Sequence, residues 1–306
     1  MNSMEISNYL EKIRYGRKLT QEDFVEGVVS LRQYQRYRSG ECEITYEKID
    51  QFAYKLGIPT KRLMNEFERE YNDQYRMVNQ FYSAVVNKDF KVVSELGEKL
   101  EKEILFSEDC RIYYHHGIIM HHYYTSKITK KEAQEQSAKL VNYPLIMKQA
   151  FFTDVEILIL SFMLSITEKE ERNKILKKLT EIFDSGNSIM SGENDMIYAL
   201  ILMRLAQTHG SNKNFPKVIQ LCDLAIQYGI SYRQFYLMEY FFYYKALAHF
   251  SLQDYDKYEE SLFRCYSCLH MEGNKKKIEK FTKLIEDDFH IVYNTFIMRY
   301  LKKEIM

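Results

Sequence analysis

Tryptophan is absent from this chain, and the residues that most often interrupt regular structure are scarce: 3 prolines and 11 glycines in 306 residues. So few breakers, with little strand-like alternation, argue against a sheet-and-turn architecture and predict an all-α fold. Long apolar runs are missing as well. The longest, Ile157 to Ile166, falls well short of the ~20 residues a helix needs to span a bilayer. Cysteine is sparse and odd in number: Cys42, Cys110, Cys222, Cys265 and Cys268. With no signal peptide in view, an odd set points away from a disulfide framework and towards a reducing cytoplasm. Cys265 and Cys268 form a CxxC, but no second pair and no histidines at ligand spacing accompany it, so they read as packing cysteines on a helix. His115, His116, His121 and His122 lack the i, i+4 spacing of a helical metal site and have no carboxylate between them. There is no phosphate-binding loop, no dinucleotide fingerprint and no nucleophile elbow. The chain is therefore expected to be no enzyme and to hold no metal or cofactor.

What the sequence does hold is a globular composition, 46% hydrophobic and 28% charged, with 26 tyrosines and 19 phenylalanines. The length fits one large or two ordinary domains. Positive and negative charges balance overall, at 43 each, but not locally. Residues 1–65 carry eleven Lys/Arg against nine Asp/Glu, and from Lys12 to Arg38 the count is seven against three. That surplus is a modest footprint for phosphate.

The surplus falls on the most informative stretch, Leu19 to Gly40. Thr20 can cap a short helix, with Asp23 completing a box-like pair. Gly27 ends that helix, and Ser30 can cap a second one, LRQYQRYR. Phe24, Val28, Tyr34 and Tyr37 are spaced to share a small core, which leaves Leu31, Arg32, Gln33, Gln35 and Arg36 outward. Two short helices joined by a tight turn, the second presenting Arg and Gln, make a helix-turn-helix; Arg matches guanine and Gln matches adenine in the major groove.

On either side, residues 4–15 read as a helix with Ile6, Leu10 and Ile13 buried. Thr45 caps another, with Ile49, Phe52, Ala53 and Leu56 inward. Gly57 stops it, and Pro59 opens a last short helix through Leu63 and Met64. From about Asn65 a further helix leads into a larger region with no Gly/Ser linker, predicting a stiff join.

That region contains an internal repeat. Leu202 to Ile226 aligns with Phe242 to Tyr266, placing Ala206 over Ala246, Asn214-Phe215 over Asp254-Tyr255 and Ala225 over Cys265, forty residues apart. A fainter copy runs from Phe81 to Leu100, with Asp89-Phe90 in its turn. Each unit reads as a helix, a polar turn and a second helix, with the turn aromatic packed beneath the hairpin. Helices near 109–124, 132–141, 152–166 and 170–183 fill the gaps, for about five pairs.

The first sixty-five residues resemble the lambda-repressor-like (XRE) DNA-binding domain, and the later units resemble tetratricopeptide repeats. Together they are similar to the Rgg–NprR–PlcR–PrgX group of peptide-sensing regulators. The sharpest local likeness is DFVEGVVSLRQYQRYRSGECEITYEKIDQFAYKLGI, residues 23–58. The resemblance implies a five-helix DNA-binding domain over 1–66 and, over 67–306, a right-handed superhelix of TPR-like pairs for peptide binding and dimerisation. It implies a cytoplasmic homodimer on a two-fold DNA operator, controlled by a short signalling peptide as in quorum sensing. Position by position, it places Gln21 and Ser30 at phosphate and Arg32, Gln33 and Arg36 at or beside bases. Arg38 stands where many such domains have a Glu that orients an Arg, which puts that bridge in doubt and gives Arg38 to phosphate. For the peptide it points to Asn79, Arg204, Gln207, Tyr240, Tyr243 and Tyr244 on inner helices. Arg204 has a second reading, snorkelling to the surface. Two other functions stay open: a regulator whose repeats bind a protein partner, and a repeat scaffold that never touches DNA.

Overall fold

The computed structural model describes residues 3–185, 188–189 and 195–305. Within them the chain is all-α apart from two two-residue strands, Phe152–Thr153 and Ser188–Ile189, which pair in parallel. Two compact units divide it, Met1–Ala133 and Gln134–Met306.

The first unit begins with α1 (Ser3–Gly16), α2 (Gln21–Val25), α3 (Leu31–Ser39) and α4 (Tyr46–Lys55). Thr20, Ser30 and Thr45 cap α2, α3 and α4 as their side-chain chemistry dictates: each hydroxyl accepts the N–H three residues on. Gly27, Gly40 and Gly57 all take positive φ, a conformation that costs glycine little and other residues more. Around these turns Phe24, Tyr34 and Phe52 pack ring against ring, Phe24 and Phe52 stacked at 4.8 Å.

Pro59 does not open a short helix. It precedes α5, a single helix from Thr60 to Val86. Nothing in EFEREYNDQYRMVNQF breaks it, since that stretch lacks both Gly and Pro. Phe67 of α5 joins the core of the first helices, as does Phe106 from the connection between α6 (Phe90–Leu100) and α7 (Glu108–Tyr124). Tyr9 touches both rings, at 5.3 and 5.4 Å. Buried Gln74 fixes that connection, donating to Ile104 O at 2.9 Å and accepting from Phe106 N at 3.1 Å. The helix-turn-helix core thus extends without a seam into the first helix pair of the unit.

α8 (Lys130–Leu140) leads to the second unit, built from helix pairs: α9 (Asp154–Ile166) with α10 (Lys169–Ser185), α11 (Asp195–Ser211) with α12 (Phe215–Tyr232), α13 (Met238–Ser251) with α14 (Tyr255–Glu272), and α15 (Lys275–Phe289) with α16 (Tyr293–Ile305). The last pair extends the count expected from the repeat. The apolar run 157–166 lies in α9 and is almost wholly buried. No described helix is long and apolar enough to cross a membrane.

The repeat has a physical basis in its turns. Lys88, Lys213 and Gln253 each adopt positive φ, and Asp89, Asn214 and Asp254 follow them at the N-cap. The aligned alanines, Ala206 and Ala246, are buried where the helices meet. The turn aromatics are not packed beneath the hairpins: Phe90 and Tyr255 are exposed and Phe215 is half-buried. They occupy the first position of the second helix, over the turn. The packing falls three residues later, on Val93, Val218 and Tyr258, which are buried.

Close approach tests this packing. A Cβ on Gly229 of α12 would stand 2.5 Å from Gln234 O and 2.7 Å from Met238 Cε, whereas one on Gly210 would meet only Val218, at 3.8 Å. Gly229→Ala should cost about 2 kcal/mol in urea unfolding, and Gly210→Ala should be neutral or stabilise by up to about 1 kcal/mol. Equal effects would contradict the close packing at Gly229.

Candidate nucleic-acid interface

The helix-turn-helix is fastened on several sides. The Lys48 ammonium of α4 donates to Val28 O at 3.0 Å, and Lys55 donates to Asp23 O and Glu26 O at 2.5 and 2.6 Å. These lysines satisfy carbonyls at the end of α2 that have no helical partner. At the far end of α3, Gly40 takes φ +78° and Glu41 N donates back to Arg36 O at 3.0 Å.

With Tyr34 and Tyr37 buried, the outward arc of α3 is Arg32, Gln35, Arg36 and Ser39. Leu31 and Gln33, expected outward, are half-buried at the edges of that arc. Their positions lie nearer the buried stripe once the helix phase is set by the two tyrosines. Gln33 donates from Nε2 to Cys42 Sγ at 3.1 Å. Ser30 is exposed, and its hydroxyl accepts from Gln33 N. Arg36 pairs with Glu41 at 3.5 Å, both exposed, a contact of small energetic weight.

Beneath this surface lies Glu11 of α1, 8% exposed. Its carboxylate accepts from Arg14 Nε and Nη2 at 2.8 and 2.7 Å, from Gln21 Nε2 at 2.8 Å and from Tyr34 OH at 3.0 Å. Arg38 Nη1 stands 3.5 Å away. Arg38 of α3 thus faces the carboxylate of α1 and forms an internal ion pair with it. Burial alone would raise the Glu11 carboxyl. The bonds from Arg14, Gln21 and Tyr34 and the charge of Arg38 outweigh it and hold the pKa down at about 2. Burial, reinforced by Glu11, pushes the Tyr34 hydroxyl far up. Gln21 in turn accepts from Gln35 Nε2 at 2.7 Å. The sequence reading missed Glu11; its signal was the i, i+3 pair Glu11-x-x-Arg14 on a helix otherwise read for its apolar stripe. It noted Gln35 as outward without seeing its bond to Gln21.

Of the six residues expected to hold a peptide, one lies in the first unit and five in the second. Asn79, in the first unit, accepts from Tyr113 OH at 2.9 Å. In the second unit, Arg204 is 8% exposed and donates to Leu158 O at 3.2 Å and Ser161 Oγ at 3.1 Å, over the ring of Phe162. Its guanidinium is packed against α9, so it does not snorkel. Gln207, a turn along α11, is exposed. On α13, Tyr243 is buried and donates to Asp288. Tyr240 meets Phe281 edge-on at 4.8 Å and receives a bond from Lys280 at 3.1 Å; Tyr244 is half-buried beside it. None of these residues lines the small cleft among Tyr198, Tyr228, Tyr236, Met238 and Phe241. Among the described residues no three His, Cys, Asp or Glu side chains converge as a metal site would require. His116, of the histidine cluster, is buried against the Tyr82 hydroxyl at 3.1 Å.

No protein-family model matches this sequence, and no curated protein matches it. Solved structures do. ComR from Streptococcus vestibularis with its signalling peptide XIP has a TM-score of 0.55 at 14% identity, over 92% of this chain and 98% of that one. ComR from S. thermophilus, in complex with DNA and its signalling peptide ComS, has 0.54 at 14%, over 92% and 99%. The apo form of the S. vestibularis protein has 0.54 at 13%, over 94% and 98%. At these identities the likeness is one of fold: over most of its length this chain shares the all-α fold of these ComR structures.

The buried carboxylate makes the stability of the first helices depend on acid. The folded pKa of Glu11, about 2, lies below its ordinary 4.5. Its contribution is therefore complete above pH 4.5 and is lost as the pH falls towards 2. Urea unfolding followed by circular dichroism should show Glu11→Gln costing about 3 kcal/mol at pH 7. The gap to wild type should narrow on acidification, and a gap that stays constant from pH 7 to pH 3 would contradict the ionised, paired state.

Proposed function

We propose that this protein is a DNA-binding transcriptional regulator of the Rgg–NprR–PlcR–PrgX type, controlled by a short peptide. The observation that carries the reading is the exposed arc of α3, with Arg32 and Arg36 held outward on a helix-turn-helix fastened from beneath by Glu11 and from the side by Lys48 and Lys55. Residues 1–66 meet the duplex: Arg32 and Arg36 enter the major groove, Ser30 and Gln21 lie at phosphate, and Gln33 and Arg38 support them from the edges. Arg matches guanine O6 and N7 bidentately, and charge neutralisation at phosphate supplies the rest of the affinity.

Residues 67–306 bind the peptide and pair two copies of the chain on a two-fold operator, in the cytoplasm, as part of quorum sensing. The support is the shared fold, since ComR is solved with DNA and its signalling peptide. Gln207, Tyr240 and Tyr244 retain exposed surface to touch a peptide, while Asn79, Arg204 and Tyr243 hold neighbouring helices in place. A ligand shifts such a protein only through unequal affinity for its two forms.

The test is fluorescence anisotropy on a duplex that the full-length chain enriches from a random pool. Arg32→Ala with Arg36→Ala should weaken binding at least tenfold and flatten the dependence of log affinity on log salt by about one to two. Unchanged affinity and salt slope would remove α3 from the interface. Adding the small-peptide fraction of the host's spent medium should shift the wild-type affinity; no shift would leave the repeats to a protein partner.

A further inference from the structure

Two helix hairpins of the second unit carry a histidine at the same place. His209 lies in the last turn of α11 and His249 in the last turn of α13, in register with Ala206 and Ala246. Each is followed four residues on by the positive-φ residue of its turn, Lys213 or Gln253. Each carbonyl accepts the N–H of the Asx residue that caps the next helix, from Asn214 and from Asp254, both at 2.9 Å. The turn needs no imidazole for this. In the fainter copy the place is held by Ala84, whose carbonyl accepts from Asp89 N at the same 2.9 Å.

The imidazoles are instead packed into the joints. His209 is 7% exposed and His249 is 4% exposed. The Thr180 hydroxyl of α10 lies 3.1 Å from His209 Nε2 and gives its own proton to Leu176 O at 2.8 Å. Nε2 must therefore be the donor, which leaves Nδ1 as the basic nitrogen. The charges nearest this ring are Asp184 of α10 and Lys217 of α12, paired with each other at 2.7 Å. His249 is less well bonded. Its Nδ1 stands 3.3 Å from Asp254 Oδ2, and among the described residues neither ring nitrogen makes a hydrogen bond. Lys257 of α14 pairs with Asp254 at 3.1 Å, and Lys245 of α13 pairs with Asp223 of α12 at 2.6 Å. The carboxylates beside both rings are thus already matched by lysines, and a further cation gains little there. A helix C-terminus ordinarily favours a protonated histidine. Here burial prevails and holds both rings below the ordinary 6.5. Their contribution to stability is therefore complete above pH 6.5 and is lost as the pH falls through the folded values.

We infer that the second unit is acid-responsive: in mild acid, proton uptake at His209 and His249 unlatches the turns that join α11 to α12 and α13 to α14. This holds whether or not the chain binds DNA. On the function proposed above, mild acid acts on the ligand-binding unit and leaves the helices around Glu11 folded, since the Glu11 contribution is complete above pH 4.5.

The experiment is hydrogen–deuterium exchange of the full-length chain at about pH 7.5 and about pH 5.5, either side of the ordinary histidine value, with rates corrected for intrinsic exchange. Residues 209–218 and 249–258 should open about threefold or more faster at the lower pH, while residues 46–58 of the first unit should not change. His209→Gln and His249→Asn place an amide near the nitrogens that face Thr180 and Asp254 and do not titrate. In the double variant the acid effect should vanish, and each single variant should silence its own turn alone. Wild-type exchange equal at both pH values overturns the inference, as does an acid effect that survives in the double variant. An acid effect of equal size over residues 46–58 is unfolding of the whole chain and overturns the local assignment. The wild-type comparison decides by itself if the double variant does not fold.

Discussion

A single buried carboxylate organises the amino-terminal helices. Glu11 draws on α1 through Arg14, on α2 through Gln21 and on α3 through Tyr34 and Arg38. An apolar core defines distances between helices, but its contacts are non-directional. A carboxylate with several donors adds direction, since each donor must arrive along a lone pair. Such a centre is expensive to bury and strongly destabilising to break. Here the cost is offset by the number of donors, and the depressed pKa of the carboxyl is the electrostatic record of that surplus. Its bond to Tyr34 reinforces the rotation of α3 that burial of Tyr34 and Tyr37 sets, with Arg32, Gln35 and Arg36 outward.

Rigidity continues downstream. α5 runs unbroken from Thr60 to Val86, and Phe67 and Phe106 close one core with Tyr9. Lys12 of α1 pairs with Glu70 of α5 and, at 3.1 Å, with Glu103. The first helix pair is therefore part of the foundation on which the helix-turn-helix stands. In the second unit order comes from recurrence: a residue of positive φ, an Asx cap, and small residues at the helix crossings.

Much of this was legible in the sequence, for local reasons. The caps Thr20, Ser30 and Thr45, the stops Gly27 and Gly57, and the alanines forty residues apart act through their immediate neighbours. Helix phase was less legible. Leu31 and Gln33 looked outward until Tyr34 and Tyr37 fixed the rotation of α3. The turn aromatics were misplaced because an aromatic beside a turn satisfies composition whether it packs inward or lies over the helix start. Glu11 was faint for a different reason: its pairing with Arg14, three residues on, is local, but its other partners are ten, twenty-three and twenty-seven residues away, and only the folded chain brings those in. Arg204 shows the same limit, as a lone cation in an apolar run whose acceptors, Leu158 O and Ser161 Oγ, lie on another helix.

The most direct measurement is a crystal structure of the full-length chain on a duplex enriched by that chain. It should show α3 in the major groove, with Arg32 and Arg36 facing it and Glu11 still bonded to Gln21 and Tyr34 beneath. A complex in which the duplex lies against another surface, with the outer arc of α3 turned to solvent, would contradict the account.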